Sequence, residues 1–147
     1  MSALDDAWQN ALAAEHQAVF GYAVLGPRAG GAEALAVQCS DAHEALRNDT
    51  VDVIAAAGLT PVEPLADYPA LYPVDDAAAA RALAARLEDA CAAGWRYLYL
   101  RAASTTGQRA AGLRTIAQAA LIASAVRATR WRALSSPGSA ATAFPGT

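Results

Sequence analysis

Apolar residues recur at intervals of three and four along most of the chain, the spacing that places them on one face of an α-helix. A first segment starts at Ser2, a good N-cap residue with Asp5 three positions on, and stops before Gly26-Pro27. Its inward stripe reads Leu4, Trp8, Ala11, Leu12, Glu15, Val19 and Tyr22. A second segment spans 34–57 and stops at Gly58, with Leu35, Cys39, Ala42, Leu46, Val53 and Ala57 inward and His43 and Thr50 flanking them. A third follows Asp75 and Asp76, whose charges suit a helix N-terminus, and runs to 103 with Leu83, Leu87, Ala90, Gly94 and Leu98 inward. The fourth covers 108–133 with Leu113, Ile116, Ala120, Ser124 and Trp131 inward. No stretch alternates with a period of two for long enough to make a convincing strand.

The connections set the topology. The first and second helices are joined by GPRAGGA at 26–32 and the third and fourth by STTG at 104–107, links short enough to make each pair antiparallel. Between the second and third lie the 17 residues 58–74, with Pro61, Pro64, Pro69 and Pro73. Proline removes amide donors and restricts the residue before it, so this link is not helical throughout. Extended at roughly 3.1 Å per residue it covers about 50 Å, whereas a helix of 24 residues is about 36 Å long. The link therefore runs the height of a bundle and leaves the middle two helices parallel. The expected fold is an all-α, ferritin-like up-down-down-up four-helix bundle at 1–134. A Ser/Gly/Ala-rich tail at 135–147 is expected to pack on it through Phe144.

Composition changes how that pattern is read. Of 147 residues, 81 are hydrophobic, but 42 of these are alanine; Leu, Ile, Val and Phe together number 28. Alanine is the strongest helix former and loses almost no side-chain entropy, so the chain favours helices packed at close range. The net charge is only −3, which argues against disorder. The longest uncharged stretch in a helical context, 115–126, is too short to cross a bilayer. There is no basic n-region before an apolar run near Met1, so the expectation is a cytoplasmic protein without membrane contact. Cys39 and Cys91 make neither a disulfide framework nor a zinc knuckle, and their expected offset of about 15 Å in parallel helices predicts free, packed thiols.

Several runs carry a family resemblance: AEHQAVFGY at 14–22, AHEALR at 42–47, the proline-rich crossover, AVRATRWR at 125–132 and AFPG at 143–146. Together they resemble a bacterial family of alanine-rich, ferritin-like domains of unknown function. The resemblance implies a ferritin-like bundle and no assigned activity.

That fold suggests a carboxylate-bridged dinuclear metal centre, which draws one Glu from each of two helices and Glu-x-x-His from each of the other two. The five glutamates are Glu15, Glu33, Glu44, Glu63 and Glu88, and none has His three residues on. The two histidines are His16 and His43, and Asp89 is the last acidic residue in the chain. The fourth helix thus offers no metal ligand, and neither a metal site nor a cofactor is expected. Glu15 nevertheless lies in the middle of an inward stripe, where an unpartnered carboxylate would be costly. With the first two helices antiparallel, His43 falls within about 3 Å of its height, and Arg127 on the fourth helix is roughly 9 Å off.

Glu15, His43 and Arg127 are therefore expected to form a buried polar cluster where metal-binding relatives keep ligands, with arginine replacing the cation. The plainer reading is a core pair that fixes helix register. His16 is placed at the boundary or surface, and Glu44, Glu88 and Asp89 on solvated faces.

Residues 1–89 hold all 14 acidic residues and 4 Arg, while residues 90–147 hold 7 Arg and no acid. This split reads as complementarity between neighbouring helices; with a pI near 5.2, nucleic acid is not expected as a partner. Phe20, Val24, Tyr99, Leu100, Leu121, Ile122 and Val126 fall outside the inward stripes. They are covered either by crossover and tail or by a second copy, and a homodimer is preferred. There is no nucleophile–base pattern, phosphate loop or dinucleotide fingerprint. The reading is a binding or interaction module with a protein or small anionic ligand as partner, more than an enzyme. The alternative is a metal-dependent oxidase or metal-handling protein with an atypical site around Glu15 and His43.

Overall fold

The computed structural model describes residues 2–135. Four helices make up the described chain: α1 (Ala3–Leu25), α2 (Glu33–Ala56), α3 (Ala77–Ala103) and α4 (Gln108–Ser135). Short 3-10 turns at Gly26–Arg28 and Pro69–Leu71 interrupt the connections. No strand occurs among the described residues.

Local chemistry sets the helix ends. Ser2 and Asp5 form a reciprocal capping box: the Ser2 hydroxyl accepts from the Asp5 amide at 3.0 Å, and the Asp5 carboxylate accepts from the Ser2 amide at 3.2 Å. Asp76 caps α3 by accepting from the Ala79 amide at 2.8 Å. The α2 helix closes in a Schellman arrangement. The Leu59 amide donates to Ile54 O and the Gly58 amide to Ala55 O, with Gly58 at φ 82°, a conformation that side-chain-bearing residues rarely adopt.

Contacts fix the direction of every helix. Between α1 and α2, Glu15 meets His43 and Gly26 lies near Ala36, so the two are antiparallel. Between α1 and α3, Tyr22 meets Glu88, Glu15 meets Trp95, and Ala11 lies against Gly94, again antiparallel. Arg127 bonds Glu88, and Arg81 reaches the Leu134 carbonyl, so α4 reverses α3. The middle helices α2 and α3 therefore run the same way, and the bundle is up-down-down-up with one long crossover, the connectivity ferritin-like bundles share.

The crossover runs along α1 from one end to the other. Gln9 clasps it with two bonds, donating to Thr60 O at 2.7 Å and accepting from the Val62 amide at 2.8 Å. His16 Nε2 donates to Val62 O at 2.8 Å. Further along, Phe20 packs on Tyr68 at 5.1 Å, and Leu71 and Val74 bury against Tyr22 and Leu25. This strap explains why His16, expected at the boundary or surface, is buried.

The helices α1 and α3 approach closely because glycine stands on each where the other presses in. A Cβ on Gly94 would lie 3.3 Å from the Ala11 Cα, and one on Gly21 would collide with Leu87. The core has two lobes. One gathers Leu25, Leu71, Leu83, Leu87 and Trp131; the other Trp8, Leu12, Ile54, Trp95, Leu98 and Leu113.

Alanine misled the sequence reading of which face turns inward. Ala42, Val53, Ala57, Ala90 and Ile116, all expected inward, are exposed. The buried stripe of α3 is Ala80, Leu83, Ala84, Leu87, Glu88, Cys91, Trp95, Leu98 and Ala102. It brings Trp95 and Glu88 into the core and leaves Ala90 outside. Phe144 and the expected packing of the tail lie outside the described residues.

Candidate functional site: a buried ion network

Between the two lobes all four helices contribute polar side chains to one cluster. Glu15 comes from α1, His43 from α2, Glu88 from α3, and Ser124 and Arg127 from α4. Glu15, His43 and Glu88 are each fully inaccessible to solvent. His43 is the hub. Its Nδ1 lies 2.7 Å from Glu15 Oε1 and its Nε2 2.8 Å from Glu88 Oε2. With a carboxylate at each nitrogen, the ring carries two donors and is an imidazolium.

The outer bonds are equally complete. Trp95 Nε1 donates to Glu15 Oε2 at 3.1 Å. Tyr22 donates its hydroxyl to Glu88 Oε2 at 2.5 Å, and Arg127 Nε donates to Glu88 Oε1 at 2.9 Å. Arg127 also donates to Ser124 Oγ at 3.2 Å. Two carboxylates thus face two cations, and every oxygen of both carboxylates accepts at least one bond. Burial of charge on this scale is tolerable only with such pairing.

Electrostatics follow the geometry. Burial opposes the charge on His43, but hydrogen bonds and charges from Glu15 and Glu88 outweigh it and raise its pKa to about 9. Burial pushes Glu88 up, yet His43, Tyr22 and Arg127 together hold it below the ordinary carboxylate value. Burial and the Glu88 charge raise the Tyr22 phenol. Burial likewise raises the thiols of Cys39 and Cys91, with Glu15 adding to the effect on Cys91, whose Sγ donates to Ala14 O at 3.4 Å. Neither thiol is a poised nucleophile, since the reactive form is the thiolate. Both are free and buried.

The sequence picture changes at two residues. Glu88, assigned to a solvated face, lies at the centre, and Arg127 bonds Glu88 and not Glu15. Glu88 spans the height offset that separated Arg127 from Glu15. Its neighbour Asp89 is exposed and pairs with Arg132, and Glu44 is exposed. Trp95 and Tyr22 complete the cluster. Tyr22 is legible as an inward residue; Trp95 is not, because alanines on both faces of α3 hide the phase of its stripe.

The donors do not fit a carboxylate-bridged dinuclear centre. The cluster offers two carboxylates and one imidazole, and α4 supplies a guanidinium where such a centre needs carboxylate and histidine. A mononuclear set does exist on paper: Glu15, His43 and Cys91 have donor atoms within 4.8 Å of one another. Adjoining the cluster at Tyr22, an apolar cleft of ≈ 320 Å³ opens between the end of α1 and the start of α2, lined by Tyr22, Ala23, Pro27, Ala36 and Val37. Its one charged residue is the acidic Glu33, so it is not an arginine-lined anion pocket. No described helix is long and apolar enough to cross a membrane.

Fold and site together define an all-α four-helix bundle with an ion network at its centre. The chain belongs to the family described as a domain of unknown function, DUF4439, which matches residues 7–147. It is similar to a solved structure described as a conserved hypothetical protein, rv2844, from Mycobacterium tuberculosis. That similarity amounts to 32% identity and a TM-score of 0.81, covering 91% of this chain and 98% of the other. No curated protein matches the chain.

Proposed function

We propose that this chain is a ferritin-like bundle whose ligand positions have become an internal ion network, and that it works as an interaction module and not as an oxidase. One observation carries the reading: Arg127, on the helix that would have to complete a dinuclear metal centre, donates to Glu88 at 2.9 Å, a cation where such a centre needs a carboxylate or a histidine. With both nitrogens of His43 and all four oxygens of Glu15 and Glu88 already bonded within the chain, the network holds four helices in one register. Buried polar networks serve such a role in other bundles. Glu15, His43 and Glu88 are inaccessible to solvent and bonded to one another's partners, so the chemistry of the cluster is directed inward. What remains for function is the outer surface.

The test is metal analysis of protein purified without a chelating tag. Substoichiometric iron, manganese and zinc are expected. A second reading rests on the Glu15, His43 and Cys91 set, whose nitrogen, oxygen and sulfur donors suit a zinc-class ion more than iron. One equivalent of metal, lost in Cys91→Ser, would establish that reading and refute the first.

A further inference from the structure

We propose that the segment after α4 folds back into the groove between α2 and α4, and that its Phe144 covers Arg127 and so closes the ion network. The proposal goes beyond the interaction-module reading and gives the groove an occupant within the same chain. The α1 helix packs along α2 and α3, and α3 along α4, which leaves the side between α2 and α4 as the open one. Arg132 pairs with Asp89 of α3 and marks the α3 flank of α4. Ile116, Ala123, Arg130 and Leu134 lie on the opposite flank, toward α2. On α2, Ala36 lies near Gly26 and Val37 lines the cleft against α1. Leu35, Ala42, Leu46 and Val53 fall on the other flank, toward α4.

The groove between these two rows is apolar and open. Leu35, Leu46 and Ala123 are half-buried and Ala42 is exposed, while Val53, Ile116 and Leu134 show 43%, 41% and 37% of their surface. Ala42, Val53 and Ile116 have the spacing of inward residues, yet no described element covers them. The network is least covered on this side too. Glu15, His43 and Glu88 are inaccessible to solvent, whereas the Arg127 side chain keeps 16% of its surface. Arg127 stands in the α4 row, four residues after Ala123 and three before Arg130.

The chain supplies the occupant. Leu134 stands at the top of the groove, its carbonyl held by Arg81, and the segment continues from there. The family match runs through this segment to residue 147, so the segment belongs to the domain. Ser136-Pro137-Gly138 is a turn sequence, suited to reversing the chain. Beyond it Phe144 is the one large apolar side chain, and no residue after Arg132 is charged, which matches an apolar groove and not the acidic outer face of α2. Arg127 lies about 12 Å below Ser135. The six residues 139–144, extended, cover up to about 20 Å. Phe144 therefore reaches the stretch from Arg127 down to Ala123. A phenyl ring over the guanidinium gains a cation–π contact, and by excluding water it strengthens the pair with Glu88.

Cross-linking in the full chain tests the placement. Asp5 meets Arg109 and Tyr22 meets Trp131, which puts Glu15, and with it His43, level with residue 121 of α4. Ala42 then lies within about 2 Å of the height of Ala123. Gly146 shares the face of Phe144 in an extended strand. Ala42→Cys with Gly146→Cys, oxidised with diamide at low micromolar concentration, should form a disulfide within one chain. Val37→Cys with Gly146→Cys, on the α1 flank of the same helix, should link at least tenfold more slowly. Cys39 and Cys91 are buried and do not compete. Without added cysteines, Phe144→Ala should shift the Arg127 Nε–H resonance and leave the circular dichroism spectrum intact. Equal or faster linking at Val37, no link at Ala42, a link only between two chains, or an Arg127 signal indifferent to Phe144→Ala each overturns the proposal. None of these readouts depends on metal content, so their failure leaves the ion-network reading to metal analysis.

Discussion

Glu88 and Asp89 are adjacent acids with opposite surroundings, and replacing each by its amide measures what the buried network contributes. Glu88 is fully buried and accepts from Tyr22, His43 and Arg127; Asp89 is exposed and pairs with Arg132. Glu88→Gln leaves His43 and Arg127 with one carboxylate between them. Breaking a buried ion pair by removing one partner costs about 3–5 kcal/mol. Release of the His43 proton relieves part of the imbalance, so about 3 kcal/mol is expected. For a domain of this size that lowers Tm by roughly 10 °C. Asp89→Asn should cost less than about 1 kcal/mol, as exposed pairs do. Urea unfolding of both variants at neutral pH gives the comparison. If Glu88→Gln matched Asp89→Asn to within experimental error, the network would be a passive feature and the argument from burial would fail.

Stability should also depend on pH through the same groups. The folded-state pKa of His43 is raised from its ordinary 6.5 to about 9, so its contribution, about 3 kcal/mol, is complete below pH 6.5 and is lost as pH rises through 9. Glu88 is shifted the other way, so its contribution is present above the ordinary carboxylate value and is lost as pH falls below it. Unfolding free energies measured from pH 4 to 10 should show a plateau near pH 5–6 with an alkaline decline, and His43→Gln should flatten that decline. Two glycine substitutions should differ in sign. Gly94→Leu drives a side chain into the Ala11 backbone and should destabilise by about 2 kcal/mol or more, whereas Gly112→Ala, with open space around it, should stabilise by about 0.5–1 kcal/mol in thermal melts. Cys39 and Cys91 should resist a thiol reagent in native protein and both react in denaturant, because burial protects them and disfavours the thiolate.

Much of the architecture is legible in the sequence because its signals are backbone chemistry. Ser2 with Asp5, Asp76, Gly58 and the prolines of the crossover each dictate a local conformation, and together they dictate the direction of every helix. Glu15 stands out as a carboxylate within an apolar stripe, and antiparallel pairing brings His43 to it. Glu88 is not legible, because on α3 alanines occupy both faces and report neither. Choosing Ala90 and Gly94 as inward rotates the helix enough to turn Glu88 and Trp95 out. Ile116 fails for a related reason: an exposed β-branched residue mimics a core stripe when the real one of α4 includes Ala110, Ala117 and Ala120. Val53 fails likewise on α2, where its neighbour Ile54 is the buried one. His16 depends on a strap whose path no periodicity encodes.

The strap also divides the chain into two hairpins of opposite electrical character. Residues 2–63 hold nine acidic and two basic side chains, while residues 64–135 hold five acidic and nine basic. The stretch from Glu63 to Asp67 that joins them is exposed throughout. No helix crosses that stretch, and it parts the quartet in two: Glu15 and His43 lie before it, Glu88 and Arg127 after it. Each hairpin thus carries half of the quartet, and neither can satisfy its buried charges without the other.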